Sequence, residues 1–150
     1  MASVEIRQAS LLDPAVGPLL AGLEEEYAAR YGDNHELSRT TAEEFDPPAG
    51  CFLVLVDGEV TTAGGGYRAH AEGTCEVKRM WTHPAYRRRG LAQRVLTELE
   101  VRAAAAGYRR LVLETGPMQP EAAALYQQRG YRRIETYGIY EQALAFAVDL

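Results

Sequence analysis

Two cysteines, one tryptophan and three histidines are all that 150 residues offer of the side chains that staple, anchor or ligate. Cys51 and Cys75 each sit inside a strand-like apolar run. A disulfide framework is therefore not expected, and two buried, reduced thiols are. Neither thiol has neighbours at metal-ligand spacing, and His35, His70 and His83 are scattered, so no metal site is indicated. No apolar run approaches the roughly 20 residues that cross a bilayer. The opening Met-Ala-Ser-Val-Glu-Ile-Arg lacks the layout of a signal peptide. Positive charge is also short: 16 Lys and Arg stand against 21 Asp and Glu, a net charge of −5. That balance disfavours general nucleic-acid binding. There is no internal repeat, linker or low-complexity tract. These absences leave a cytoplasmic chain with no membrane segment, organised as a single domain over residues 1–150. At 47% hydrophobic it can bury a real core.

What is present alternates between two periods. Val4 to Arg7 alternates as a first strand. Pro14 and Pro18 mark a helix start, and Val16, Leu19, Leu20, Leu23 and Tyr27 form an apolar stripe at helical spacing. Residues 31–50 are polar and read as a long loop with a helical turn near Thr41 to Phe45. Cys51 to Val56 is a buried strand, Asp57-Gly58 a hairpin turn, and Glu59 to His70 the partner strand. The run Gly64-Gly65-Gly66 within it marks a bend or bulge. A turn at Glu72-Gly73 leads to a strand over 74–82. A helix from Gly90 carries Leu91, Val95, Leu99 and Ala103 on one face and ends at Gly107. Leu111 to Thr115 is a strand, Pro120 opens a short helix that Gly130 ends, and Tyr131 to Thr136 and Ala143 to Val148 are the last strands. The class is α/β, in the order β-α-β-β-β-α-β-α-β-β around one mixed sheet.

The charges are unevenly placed. Glu24, Glu25, Glu26, Asp33, Glu36, Glu43, Glu44 and Asp46 crowd the N-terminal third, and arginines cluster at 87–89 and 109–110. The acidic group is either a solvated helix face and loop or a surface that attracts a cationic acceptor. The basic group has a sharper reading. Arg87, Arg88, Arg89, Gly90, Leu91 and Ala92 join the strand over 74–82 to the helix from Gly90. A helix start of this kind aims unpaired N–H groups and the positive end of the dipole at one spot. Gly90 and Ala92 are small enough to let the backbone approach a ligand closely. The ligand favoured there is an anion, most simply a pyrophosphate.

Arg-x-x-Gly-x-Ala after a strand resembles the cofactor-binding signature of the GNAT superfamily, the acyl-CoA N-acyltransferases. Glu76 on the preceding strand, Leu111 to Thr115, and Gln119-Pro-Glu-Ala-Ala-Ala-Leu-Tyr126 followed by Gly130-Tyr131 fall in the family's order. The resemblance implies a GNAT-type fold whose mostly antiparallel sheet splays at strands four and five, with a pantetheine arm between them. It implies acetyl-CoA as co-substrate and a primary amine of a small molecule, amino acid or peptide as acceptor. It places cofactor contacts at Met80, Trp81, Thr82, Arg87, Arg88, Arg89, Gly90, Leu91, Ala92, Gln119 and Tyr126. Gln119 departs from the asparagine that many members carry there. The acceptor pocket would be built from residues 31–50 and the last hairpin at 136–143, with Tyr137 and Tyr140 as lining candidates. Dimerisation through the last strands is a further expectation.

The chemistry wants a base for the amine, a donor for the carbonyl oxyanion, and an acid for the leaving thiolate. Glu76 is the candidate base; a salt bridge with Lys78 or an arginine is the competing role. Tyr126 is the candidate acid; a packed core aromatic is its competing role. Period-two alternation puts Glu76, Lys78, Met80 and Thr82 on one face, a conflict that a bulge would relieve. No activated nucleophile is evident, so transfer would be direct. Two alternatives stay open: a non-catalytic acyl-CoA-binding or sensor module, and a nucleic-acid-binding protein using the arginine clusters.

Overall fold

The computed structural model describes residues 4–32 and 36–150; the readings placed on Asp33 and His35 lie outside the described residues. The elements run β1 (Glu5–Gln8), α1 (Gly17–Tyr31), β2 (Cys51–Asp57), β3 (Val60–Ala71), β4 (Thr74–Thr82), α2 (Leu91–Ala105), β5 (Arg110–Thr115), α3 (Pro120–Gln128), β6 (Arg132–Ile134) and β7 (Leu144–Asp149). That is the expected order. The last strands differ in extent: β6 is three residues, and residues 135–143 carry no regular structure. Short 3₁₀ turns break the first long loop at Glu36–Ser38 and Ala42–Phe45. Among the described residues no helix is long and apolar enough to cross a membrane.

The sheet has the order β1-β2-β3-β4-β5-β7-β6. Every neighbouring pair is antiparallel except β4 with β5. Both faces are covered, which is why β2 reads as an unbroken apolar run. Cys51, Leu53 and Leu55 face α2 with its Leu91, Val95, Leu96, Leu99 and Ala103. Phe52, Val54 and Val56 face α1 with its Leu19 and Leu23, together with Phe45 and Trp81. Burying each such side chain fully is worth roughly 1.5–3 kcal/mol, so the two layers fix the register of β2.

Two departures from regular pairing shape the middle of the sheet. Gly64 pairs with Trp81 but Gly66 pairs with Lys78, so β4 carries one residue more than β3 across this stretch. Arg79 takes up the extra residue with φ of +64°, a conformation costing roughly 1–2 kcal/mol for a side-chain-bearing residue. Its buried guanidinium offsets that by donating to the carbonyls of Leu37 and Thr40 and lying over the Phe45 ring. The bulge overturns simple alternation. Met80 packs with Cys75 and Val77 toward the α2 side, while Trp81 joins the α1 side. The second departure is the splay. The β4–β5 ladder consists of Thr74–Arg110, Cys75–Leu111 and Glu76–Val112, and then stops. Beyond Glu76 the two strands part.

Candidate active site

Two cavities meet where the strands part. The first, about 820 Å³, runs from the start of α2 along the free edge of β4 to α3. At its outer end lies Arg88-Arg89-Gly90. Arg88 and Gly90 both have positive φ, +64° and +74°. Turns of this left-handed kind at a helix N-terminus gather N–H groups into a concavity for anions, and the 15-residue α2 adds its dipole. The three arginines are not equivalent. Arg87 is tied to Glu26 at 3.3 Å and to the Thr82 carbonyl at 3.4 Å, and Arg89 lies over the Tyr86 ring at 5.0 Å. Arg87 and Arg88 line the cavity, whereas Arg89 does not. Met80, Trp81, Thr82, Leu91, Ala92, Leu125 and Tyr126 continue the walls.

Tyr126 is 5% exposed, packed against Tyr131 and Phe146. It therefore fills both roles the sequence left open, core ring and cavity wall. Burial pushes its phenol up to about 12, so it stays protonated across physiological pH. Its hydroxyl has no hydrogen-bond partner among the described residues.

The second cavity, about 730 Å³, lies against the same splay on the α1 side. As expected, its walls come from the first loop and the segment before β7, including Tyr137 and Tyr140, together with Tyr27, Tyr31 and Arg68. Two acidic residues of the N-terminal third are paired at or beside this cavity. Glu36 pairs with Lys78 at 3.2 Å and accepts from the Tyr140 hydroxyl, and Glu44 pairs with Arg68 at 2.6 Å.

Glu76 is 3% exposed, with both oxygens engaged. Oε1 accepts from Arg68 at 3.1 Å, and Oε2 accepts from the Tyr137 hydroxyl at 2.7 Å. The arginine partner that competed with its catalytic reading is present. Gln119 lies at the junction of the two cavities. Its Oε1 accepts from the Tyr31 hydroxyl at 3.1 Å and from the Gly116 N–H at 3.2 Å. The extra carbon relative to asparagine lets it tie the turn after β5 to the end of α1.

One carboxylate went unnoticed in the sequence. Glu114, next to last in β5, borders both cavities where they meet. Burial first, and the nearby Glu76 charge, push its carboxyl above the usual carboxylate range, against the pull of the Gly138 and Tyr137 N–H groups. Its Oε2 is buried with no partner among the described residues. Gly138 stands against it so closely that a Cβ there would overlap Glu114 Oε1. The signal was available: Leu-Val-Leu-Glu-Thr puts a lone carboxylate in an apolar central strand, the same feature that drew attention to Glu76.

Neither cysteine lines either cavity. Cys51 and Cys75 are free and buried, and burial pushes the Cys75 thiol up to about 12. His83 Nδ1 accepts from the Ala85 N–H, capping the turn after β4. No cluster of metal-ligating side chains exists among the described residues.

An N-acetyltransferase of Escherichia coli K12, the uncharacterized YjgM, is 29% identical over 140 residues, covering 87% of this chain and 83% of its own length. An acetyltransferase from Streptococcus agalactiae shares the fold with a TM-score of 0.83 over 100% of both chains, at 15% identity. PaiA N-acetyltransferase from Thermoplasma acidophilum, solved in complex with coenzyme A, matches with a TM-score of 0.71 over 99% of both chains, at 16% identity. Residues 19–131 match the Acetyltransferase (GNAT) family, spanning the cradle, the splay and the Tyr126 helix, and the chain belongs to that family.

Proposed function

We propose that this chain is an acetyl-CoA-dependent N-acetyltransferase that moves the acetyl group directly onto a primary amine. The observation that carries this reading is Glu114: a partly buried carboxylate with no ion-pair partner among the described residues, set where an anion-binding groove meets a second cavity. The groove fits a CoA ester. Its outer end offers backbone N–H groups, Arg87 and Arg88 to a pyrophosphate. Its walls offer the β4 edge past Glu76, which has no β5 partner, to an extended amide arm.

Glu114 takes one proton from the acceptor ammonium, by contact or through one water, and frees the nitrogen lone pair. That nitrogen forms a bond to the thioester carbonyl carbon. The backbone N–H groups along Met80 to Thr82 are placed to stabilise the oxyanion that develops. Tyr126 donates a hydrogen bond to the departing sulfur as the C–S bond breaks. The products are an amide and a thiol, with one proton released to solvent overall. Both cysteines are protonated, buried and away from the groove, so no covalent acyl-enzyme enters. Glu76 positions: it holds Arg68 and Tyr137 in the acceptor wall.

An acyl-CoA-binding module would need the anion-binding turn at Arg88 to Gly90 but would gain nothing from a partly buried carboxylate without a cationic partner, which costs stability. The test is free-thiol release from acetyl-CoA across amines, amino acids and short peptides. Acceptor-dependent release supports the enzyme. Acetyl-CoA binding with no release for any acceptor supports the module.

The approach of Gly138 to Glu114 makes a separate prediction. Gly138→Ala pushes the carboxylate out of place, and misplacing a catalytic group by about 1 Å costs on the order of 10²-fold. We expect kcat to fall at least tenfold with the KM for acetyl-CoA within twofold. Steady-state kinetics checks this; an unchanged kcat would remove Glu114 from the mechanism.

A further inference from the structure

The charges around the acceptor cavity form a partial tally. Arg68 is shared between Glu44 and Glu76, and Lys78 pairs with Glu36. Glu141 and His70 are exposed, and the His70 ring meets Tyr137 edge-on. Besides the exposed Glu141, two wall groups have no ion-pair partner among the described residues. Glu114 has its partnerless oxygen at the splay. Arg39 is solvent-exposed, lies 5.9 Å over the Tyr140 ring, and has no carboxylate within ion-pair distance among the described residues. The guanidinium also hydrogen-bonds the Tyr140 side chain, and its remaining donors are available to a carboxylate. Tyr27, Tyr31, Tyr137, Ile139 and Tyr140 give the same cavity aromatic and apolar surface.

Resting on the acetyltransferase reading, we infer that the acceptor is a zwitterion: an amino acid or short peptide with an apolar or aromatic body, its amine delivered to Glu114 and its carboxylate held by Arg39. A cavity of this size admits such an acceptor. A polyamine has no carboxylate for Arg39 to hold.

The test compares phenylalanine, phenylalaninamide, phenethylamine and spermidine as acceptors, in the parent chain, Arg39→Gln and Arg39→Lys. Initial rates of thiol release give kcat and KM, and the shift in unfolding temperature with each acceptor, in the presence of coenzyme A, gives binding without turnover. We expect the parent to use phenylalanine at least tenfold better in kcat/KM than the three carboxylate-free amines. Arg39→Gln should raise the KM for phenylalanine about tenfold, leave its kcat within threefold and shrink the preference. Arg39→Lys should restore part of it. Equal or better use of phenethylamine or spermidine overturns the inference while leaving the acetyltransferase intact, as does an Arg39→Gln chain that discriminates like the parent. If nothing is turned over, the acetyltransferase reading fails. The inference then falls too unless phenylalanine alone raises the unfolding temperature and Arg39→Gln abolishes that shift.

Discussion

Glu114→Gln should lower kcat by about 10²–10⁴, the range that a positioned general base supplies, while making the protein no less stable. The two halves have one cause. Burial raises the Glu114 carboxyl above its ordinary value, so the folded state holds that proton more tightly than the unfolded chain does. A shift in that direction contributes stability below the unfolded pKa, near 4.3, and loses it as pH rises through the higher folded value. At pH 7 the ionised group is a liability that the glutamine removes. The unfolding midpoint of Glu114→Gln should therefore equal or exceed the parent's at pH 7, by up to roughly 2–4 °C, and the advantage should shrink on acidification. In kcat the acid limb governed by this carboxyl should disappear. Glu76→Gln makes the contrast. It removes the charge that pairs with Arg68 and leaves one acceptor oxygen for both Arg68 and Tyr137, so stability should fall by about 1–3 kcal/mol. Thermal unfolding and pH–rate profiles of the two variants decide which glutamate is the base. A stable, slow Glu76→Gln beside an active Glu114→Gln would reverse the assignment.

Most of the fold was legible because its signals are local. The α2 face, the apolar β2 and the hairpin turn after it are all local signals, and each was read within a residue or two of its observed place; the turn is Gly58-Glu59 rather than Asp57-Gly58, because Asp57 still pairs with Val60. The cradle was legible for the same reason, since it lies in six consecutive residues. Less visible was whatever depends on chain segments far apart in sequence. Glu76 looked available until Arg68 and Tyr137 arrived from other elements. Glu44 and Glu36 looked like free acidity until Arg68 and Lys78 met them. The face assignment of Met80 failed because one residue in the left-handed region reverses period-two alternation. A triple glycine in β3 signalled an irregularity but not which partner strand would carry the extra residue.

Tyr126→Phe should cost about 10–10² in kcat with the KM for acetyl-CoA within a few-fold. The substitution is clean. The ring's contacts with Tyr131 and Phe146 stay, and the lost hydroxyl has no protein partner to strand among the described residues. Stability should thus change by less than about 0.5 kcal/mol. A phenol held near 12 is a reluctant acid but a dependable donor, so its service grows with the negative charge that collects on the departing sulfur. That dependence gives the sharper measurement. Acetyl thioesters of thiols with lower pKa than coenzyme A leave more readily and need the donor less. The rate ratio of parent to Tyr126→Phe should then shrink as the leaving thiol becomes more acidic, under conditions where chemistry limits the rate. A ratio that stays constant across the series would assign Tyr126 to packing, and the groove would hold its leaving group by other donors.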